Sequence, residues 1–176
     1  MKGRPRAARA RALALPSLGL LVLLAGSTPS AAREVSVEPA QAWFSERSGH
    51  GQAVVTVWYD DEGQSSPAVR GYRIEITYPQ AYARVAGIAQ GDFLSGGGTV
   101  AFFSSAEGGR ITVNAAILGS TSGATGSGTL FTVTLDGQGA AEGCGDLEFD
   151  AQACVIRDVQ NNDLPASYAG GWIAFD

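Results

Sequence analysis

The stretch Val69 to Pro79 constrains the fold more than any other part of this chain. From Tyr72 its side chains alternate strictly, with Tyr72, Ile74, Ile76 and Tyr78 on one side and Arg73, Glu75 and Thr77 on the other. A period of two belongs to a β-strand with one face in a core and one face in water. Pro79 ends the strand, because proline has no N–H to donate and restricts the residue before it. A chain built on such strands has a packing side and a presenting side.

Further strands follow the same logic. Val35 to Glu38, Ala53 to Tyr59, Ala83 to Ile88, Thr99 to Ser104, Arg110 to Leu118 and Thr129 to Leu135 are rich in β-branched and aromatic residues. Leu147 to Phe149 and Cys154 to Arg157 bracket one irregular strand, and Gly171 to Phe175 closes the chain. Asp60 to Pro67, Glu107-Gly108-Gly109 and Asp136-Gly137 supply turns, and Gly119 to Gly128 is expected to be a flexible connection. No segment has the 3.6-residue period of an amphipathic helix. Nine strands with turns between them predict an all-β sandwich.

The first 32 residues read differently. Five basic residues between Lys2 and Arg11 precede the apolar run Leu13 to Ala25, and Ser30-Ala31-Ala32 follows. This is the layout of a cleaved secretory signal peptide, too short for a membrane span. Residues 33–176 then form one exported domain with no lipid anchor, since Ser27 stands where a lipid-bearing cysteine would be. Five of the 12 basic residues lie in the leader, so the domain carries 7 basic against 17 acidic side chains, a formal net charge of −10, and no lysine. Nucleic acid and anionic membrane both require basic surface, so neither is an expected partner.

Catalytic chemistry finds little footing. The only histidine, His50, sits in a polar stretch between two glycines, far from any cysteine cluster. Asp60, Asp61 and Glu62 are consecutive and cannot flank a glycosidic bond from opposite sides. Gly123 to Gly128 lacks the lysine of a phosphate-binding loop. No catalytic residue and no cofactor is assigned. Asp158, Asn161 and Asp163 gather the oxygen donors a calcium ion takes, but they lack the glycine and closing glutamate of an EF-hand loop and equally suit a plain turn. Cys144 and Cys154, in an exported chain, are expected to form a disulfide. Trp43, Trp58, Tyr59, Tyr72, Tyr78, Tyr82 and Trp172 allow a sugar-stacking surface. Most of them fall at inward strand positions where aromatics are ordinary core, and no planar row stands on the presenting side.

The order of motifs adds a resemblance. A strand ending Ile76-Thr77-Tyr78-Pro79, then Ala83 to Ile88, then Gly91-Asp92-Phe93-Leu94 resembles the cohesin pattern of a strand ending in Tyr-Asp-Pro, a short strand and a glycine–hydrophobic element. The intervening aspartate is absent here. Thr129 to Val133, Val155 to Pro165 and Gly170 to Phe175 are similar to later cohesin strands, so the likeness spans residues 33–176. It implies a nine-stranded jelly-roll that binds a dockerin or another extracellular protein through the face of strands 8, 3, 6 and 5. By strand order the partner-binding residues would be Arg73, Glu75, Thr77, Thr112 and Asn114. A carbohydrate-binding module of the same superfamily, in polysaccharide breakdown, and a purely structural exoprotein domain are the alternatives.

Overall fold

A computed structural model describes residues 33–44, 51–63, 67–119, 121–138 and 143–175. The expected signal peptide and His50 lie outside the described residues. Twelve strands and one short 3-10 turn, Phe93–Gly97, are present among them. They are β1 (Arg33–Glu38), β2 (Gln41–Trp43), β3 (Gln52–Asp60), β4 (Val69–Thr77), β5 (Ala83–Gln90) and β6 (Val100–Glu107). The second half comprises β7 (Arg110–Ile117), β8 (Gly128–Gly137), β9 (Gly143–Phe149), β10 (Val155–Asp158), β11 (Ala166–Ala169) and β12 (Gly171–Phe175).

The strands form two sheets, one ordered β11-β1-β3-β8-β5 and the other β2-β12-β9-β4-β7-β6, with β10 pairing β4 beside β9. The architecture is the expected all-β sandwich, but the count is twelve rather than nine. One of the nine expected strands, the irregular one between Leu147 and Arg157, runs as two pieces, β9 and β10, and two strands were not expected. They are β2, which follows β1 past Pro39, and β11, which leads into β12 at Gly170. There the chain presses so closely on β9 that a Cβ would lie 2.4 Å from the Leu147 carbonyl oxygen. β9 and β10 part at a turn where Ala153 and Cys154 both donate N–H to the Asp150 carbonyl. The two added strands join different sheets: β11 pairs β1 in one and β2 pairs β12 in the other, both in parallel. Local pattern shows where strand character lies, and pairing decides where one strand ends and another begins.

The inward faces meet in one core. Tyr72, Ile74 and Ile76 of β4 are buried, as the alternation predicts, with Val113 of β7, Val57 of β3 and Phe131 of β8. The Tyr72 and Phe131 rings stack across the two sheets with centroids 6.4 Å apart. Tyr72 Oη donates to the Leu130 carbonyl at 2.7 Å, so the buried phenol is satisfied by the opposite sheet.

Two expectations are corrected. The connection expected to be flexible is anchored over its described residues 121–128: Val69 and Ala124 exchange both backbone hydrogen bonds at 2.7 Å. Asp61 Oδ2 accepts Gly126 N–H, and Asp60 Oδ1 accepts the Ser127 hydroxyl. The acidic turn thus ties the glycine-rich connection down. The second correction concerns Cys144 and Cys154, which are both free thiols. Cys154 is buried against β4, its Sγ accepting Glu75 N–H at 3.3 Å and donating to the Glu75 carbonyl at 3.5 Å. Cys144 lies on β9 opposite Ala174 and is exposed. Phe149, the β9 residue that reaches β4 next to Glu75, is five residues from Cys144, roughly 16 Å at strand spacing. A disulfide needs Cα atoms within about 7 Å. Burial pushes the Cys154 thiol up, which also makes it a poor nucleophile.

Candidate functional site: an arginine-rimmed dish on the outer sheet face

The outward side of β4 carries Arg73, Glu75 and Thr77, and β7 sets Asn114, Thr112 and Arg110 directly opposite them. The sheet register therefore brings all five predicted residues onto one face. Their environments differ from the expected uniform wet surface. Glu75 faces outward yet its side chain is only 6% exposed. Arg73 Nε and Nη2 donate to its Oε1, and Arg110 Nη1 donates to Oε2 at 2.5 Å. Arg110 Nη1 also reaches Asp150 Oδ2 at 3.1 Å. Side chains two apart on one strand share a face, and diagonal neighbours on paired strands lie within reach of long side chains. Two arginines can therefore close over one carboxylate. Their hydrogen bonds, Arg73's first, hold the Glu75 carboxyl below the usual carboxylate range.

This lowered value fixes a pH dependence. A carboxyl depressed on folding contributes stability that is fully present above its unfolded range, about 4.3, and is lost as pH falls through the folded value. Glu75→Gln is expected to lower stability by about 1–2 kcal/mol at neutral pH, a figure discounted because both arginines are half-exposed. Urea midpoints of the two proteins should converge as pH falls through the lowered folded value of the carboxyl. An equal gap above and below that value would show that packing, not charge, accounts for the loss.

Next to this cluster the face sinks into a depression of about 510 Å³. Its floor follows from register. Ala101 of β6 pairs Ala116 of β7, which pairs Gly71 of β4, which pairs Arg157 of β10. Three neighbouring strands thus contribute side chains of one carbon or none, and the surface dips between taller neighbours. Gly71 has no room for more, since a Cβ there would lie 2.7 Å from the Ala115 carbonyl oxygen. The walls are Phe103, Asn114, Arg70, Arg73 and Arg157. Phe103 is 69% exposed, the most exposed large apolar side chain among the described residues.

Sequence reasoning placed Arg73 and Asn114 here and missed Phe103, Arg70, Arg157 and the small-residue floor. One signal was available: adjacent residues of a strand point to opposite faces, so Phe102-Phe103 obliges one ring to face out. The floor left no such trace, because three small residues far apart in sequence become neighbours only through pairing. Thr77 and Thr112 lie on the same face beyond the Glu75 cluster.

The other candidate sites resolve locally. Asp158 is buried, and its carboxylate accepts the N–H groups of Gln160 and Asn162 and the Asn162 side-chain amide. Those donors, the Asn162 side chain first, lower its pKa. Asp163 instead pairs with Arg157 at 3.1 Å, and Asn161 takes a left-handed φ of 67°. This is an aspartate-centred turn whose oxygens face N–H donors, the reverse of what a cation requires. Among the described residues no group of three His, Cys, Asp or Glu side chains converges for a metal. Trp43 and Trp172 meet edge to face, with planes 70° apart, so they do not form a flat sugar-stacking platform.

No protein-family profile matches the sequence, and no curated protein matches it. Solved structures do. A non-cellulosomal cohesin from the archaeon Archaeoglobus fulgidus shares 20% identity, covers 83% of this chain and 92% of its own, and superposes with a TM-score of 0.62. A cohesin of Clostridium acetobutylicum gives 18%, 82%, 90% and 0.63 in the same terms. A chain of the type I cohesin–dockerin complex containing the OlpA cohesin of Clostridium thermocellum gives 14%, 82%, 99% and 0.65.

Proposed function

The fold is cohesin-like, and from that premise we propose that the chain is a non-catalytic protein-binding module. In this reading it is exported, loses residues 1–32, and presents the β10-β4-β7-β6 face to a dockerin-type partner in extracellular or cell-surface assembly on polysaccharide. One observation carries the reading: the ring of Phe103 stands in water beside a depression floored by Gly71, Ala101 and Ala116. A water-exposed aromatic at a concave spot on an otherwise polar face is the composition of a docking anchor, where few residues supply most of the affinity. Solved cohesins of the same fold occur in complexes with dockerins, which is the reason for naming that partner class first. Glu75, clamped by two arginines, holds Arg73 in place at the wall and reduces the ordering cost of docking.

The test is calorimetric titration of the protein with a panel of dockerin modules, alongside its Phe103→Ala variant. At least one dockerin is expected to bind, and the variant is expected to weaken it by at least about 30-fold. A folded protein that binds none of the panel would falsify the dockerin reading.

A further inference from the structure

Charge is unevenly spread over this chain. Residues 33–176 contain 7 arginines, no lysine and 17 acidic side chains. Four of those seven, Arg70, Arg73, Arg110 and Arg157, lie on β4, β7 and β10. Three of the four line the dish. The acidic groups around them are already engaged within the protein. Glu75 is held by Arg73 and Arg110, Asp150 by Arg110, and Asp163 by Arg157. Asp158 accepts N–H donors of its own turn. Glu107 is four residues along β6 from Phe103, roughly 13 Å from the dish. Arg70 makes no ion pair among the described residues. The dish therefore offers a guanidinium without a counter-charge beside an exposed aromatic ring.

We infer that the occupant of the dish is an acidic segment: one that seats an apolar side chain against Phe103 on the small-residue floor and sets a carboxylate against Arg70 and Arg157. This rests on reading the face as the docking surface, and it specifies the chemistry of the partner. Guanidinium suits the role because its planar donors match a carboxylate in two parallel hydrogen bonds. The net charge of the domain does not oppose it at contact. Fields from the remaining acidic surface are screened beyond about 8–10 Å at physiological salt, so the nearest charges decide. The same acidic surface repels an acidic partner everywhere except over the arginines, which orients the encounter.

Two synthetic helical peptides test the inference. They share one central leucine and differ only in carrying glutamate or lysine at the flanking positions, and each is titrated into the 15N-labelled full-length protein. The glutamate peptide is expected to shift the amide resonances of Gly71, Ala101 and Ala116 and to bind about tenfold more tightly than the lysine peptide, with the preference shrinking as salt is raised. Arg70→Gln should erase the preference, Arg70→Glu should reverse it, and Phe103→Ala should weaken both peptides alike. Tighter binding of the lysine peptide, or a preference that survives Arg70→Glu, overturns the inference. A dish perturbed equally by both peptides removes the charge inference alone. Resonances unmoved by either peptide remove the docking-face reading with it.

Discussion

Ala116→Trp is expected to abolish binding of a partner at the dish while leaving the protein folded. Ala116 is an exposed outward residue of β7, flanked in register by Ala101 and Gly71, the other two members of the floor. An indole there would occupy the volume the depression now leaves open. Tryptophan is well tolerated in strands and covers a large area, so β7 should keep its pairing. The expected result is a loss of at least about 30-fold in affinity, equivalent to about 2 kcal/mol, with an unchanged thermal midpoint. Unaltered affinity in the variant would move the docking site off this face. Because the change adds bulk without touching an arginine or Phe103, it tests the shape of the site separately from its charge and its aromatic anchor.

The largest effect on stability is expected from Phe131→Ala. Phe131 has no exposed surface, pairs Val57 on one side and Gln90 on the other, and stacks on Tyr72 of the opposing sheet. Truncation removes the transfer free energy of the ring and leaves a cavity between two sheets that cannot easily close, because each is held at fixed spacing by its ladders. The expected cost is about 3–5 kcal/mol, a large part of the roughly 5–15 kcal/mol typical of a domain. Urea unfolding should show a lower midpoint with an unchanged slope. A cost below about 1 kcal/mol would mean that the sheets collapse onto the vacancy.

Phe131, like Tyr72, Ile74 and Ile76, could be read early: each sits at an inward position of an alternating strand, and burial followed. Arg73, Glu75, Thr77, Thr112 and Asn114 were assigned to one face by strand order, and pairing put them there. The character of that face was not legible. Glu75 is covered although it points outward, because Arg110 reaches it from a neighbouring strand and the turn beginning at Asp150 closes over its backbone. The expected disulfide failed for the same kind of reason. Only nine residues lie between the cysteines in sequence, but the turn between β9 and β10 sends one beneath β4 and leaves the other far along the neighbouring strand.

What the sequence determined by itself is the strand pattern, the division of each strand into a packing and a presenting side, and hence a β-sandwich. These depend on a period of two that every local window displays. What only the tertiary structure decided is the dish. Its floor joins Gly71, Ala101 and Ala116, its wall joins Phe103 to Arg70 and Arg157, and its free charge exists because other carboxylates are engaged elsewhere. Each of these is a relation between strands. Register, which shifts whole faces when it slips by one residue, is a property of the paired sheet and not of any single stretch of chain.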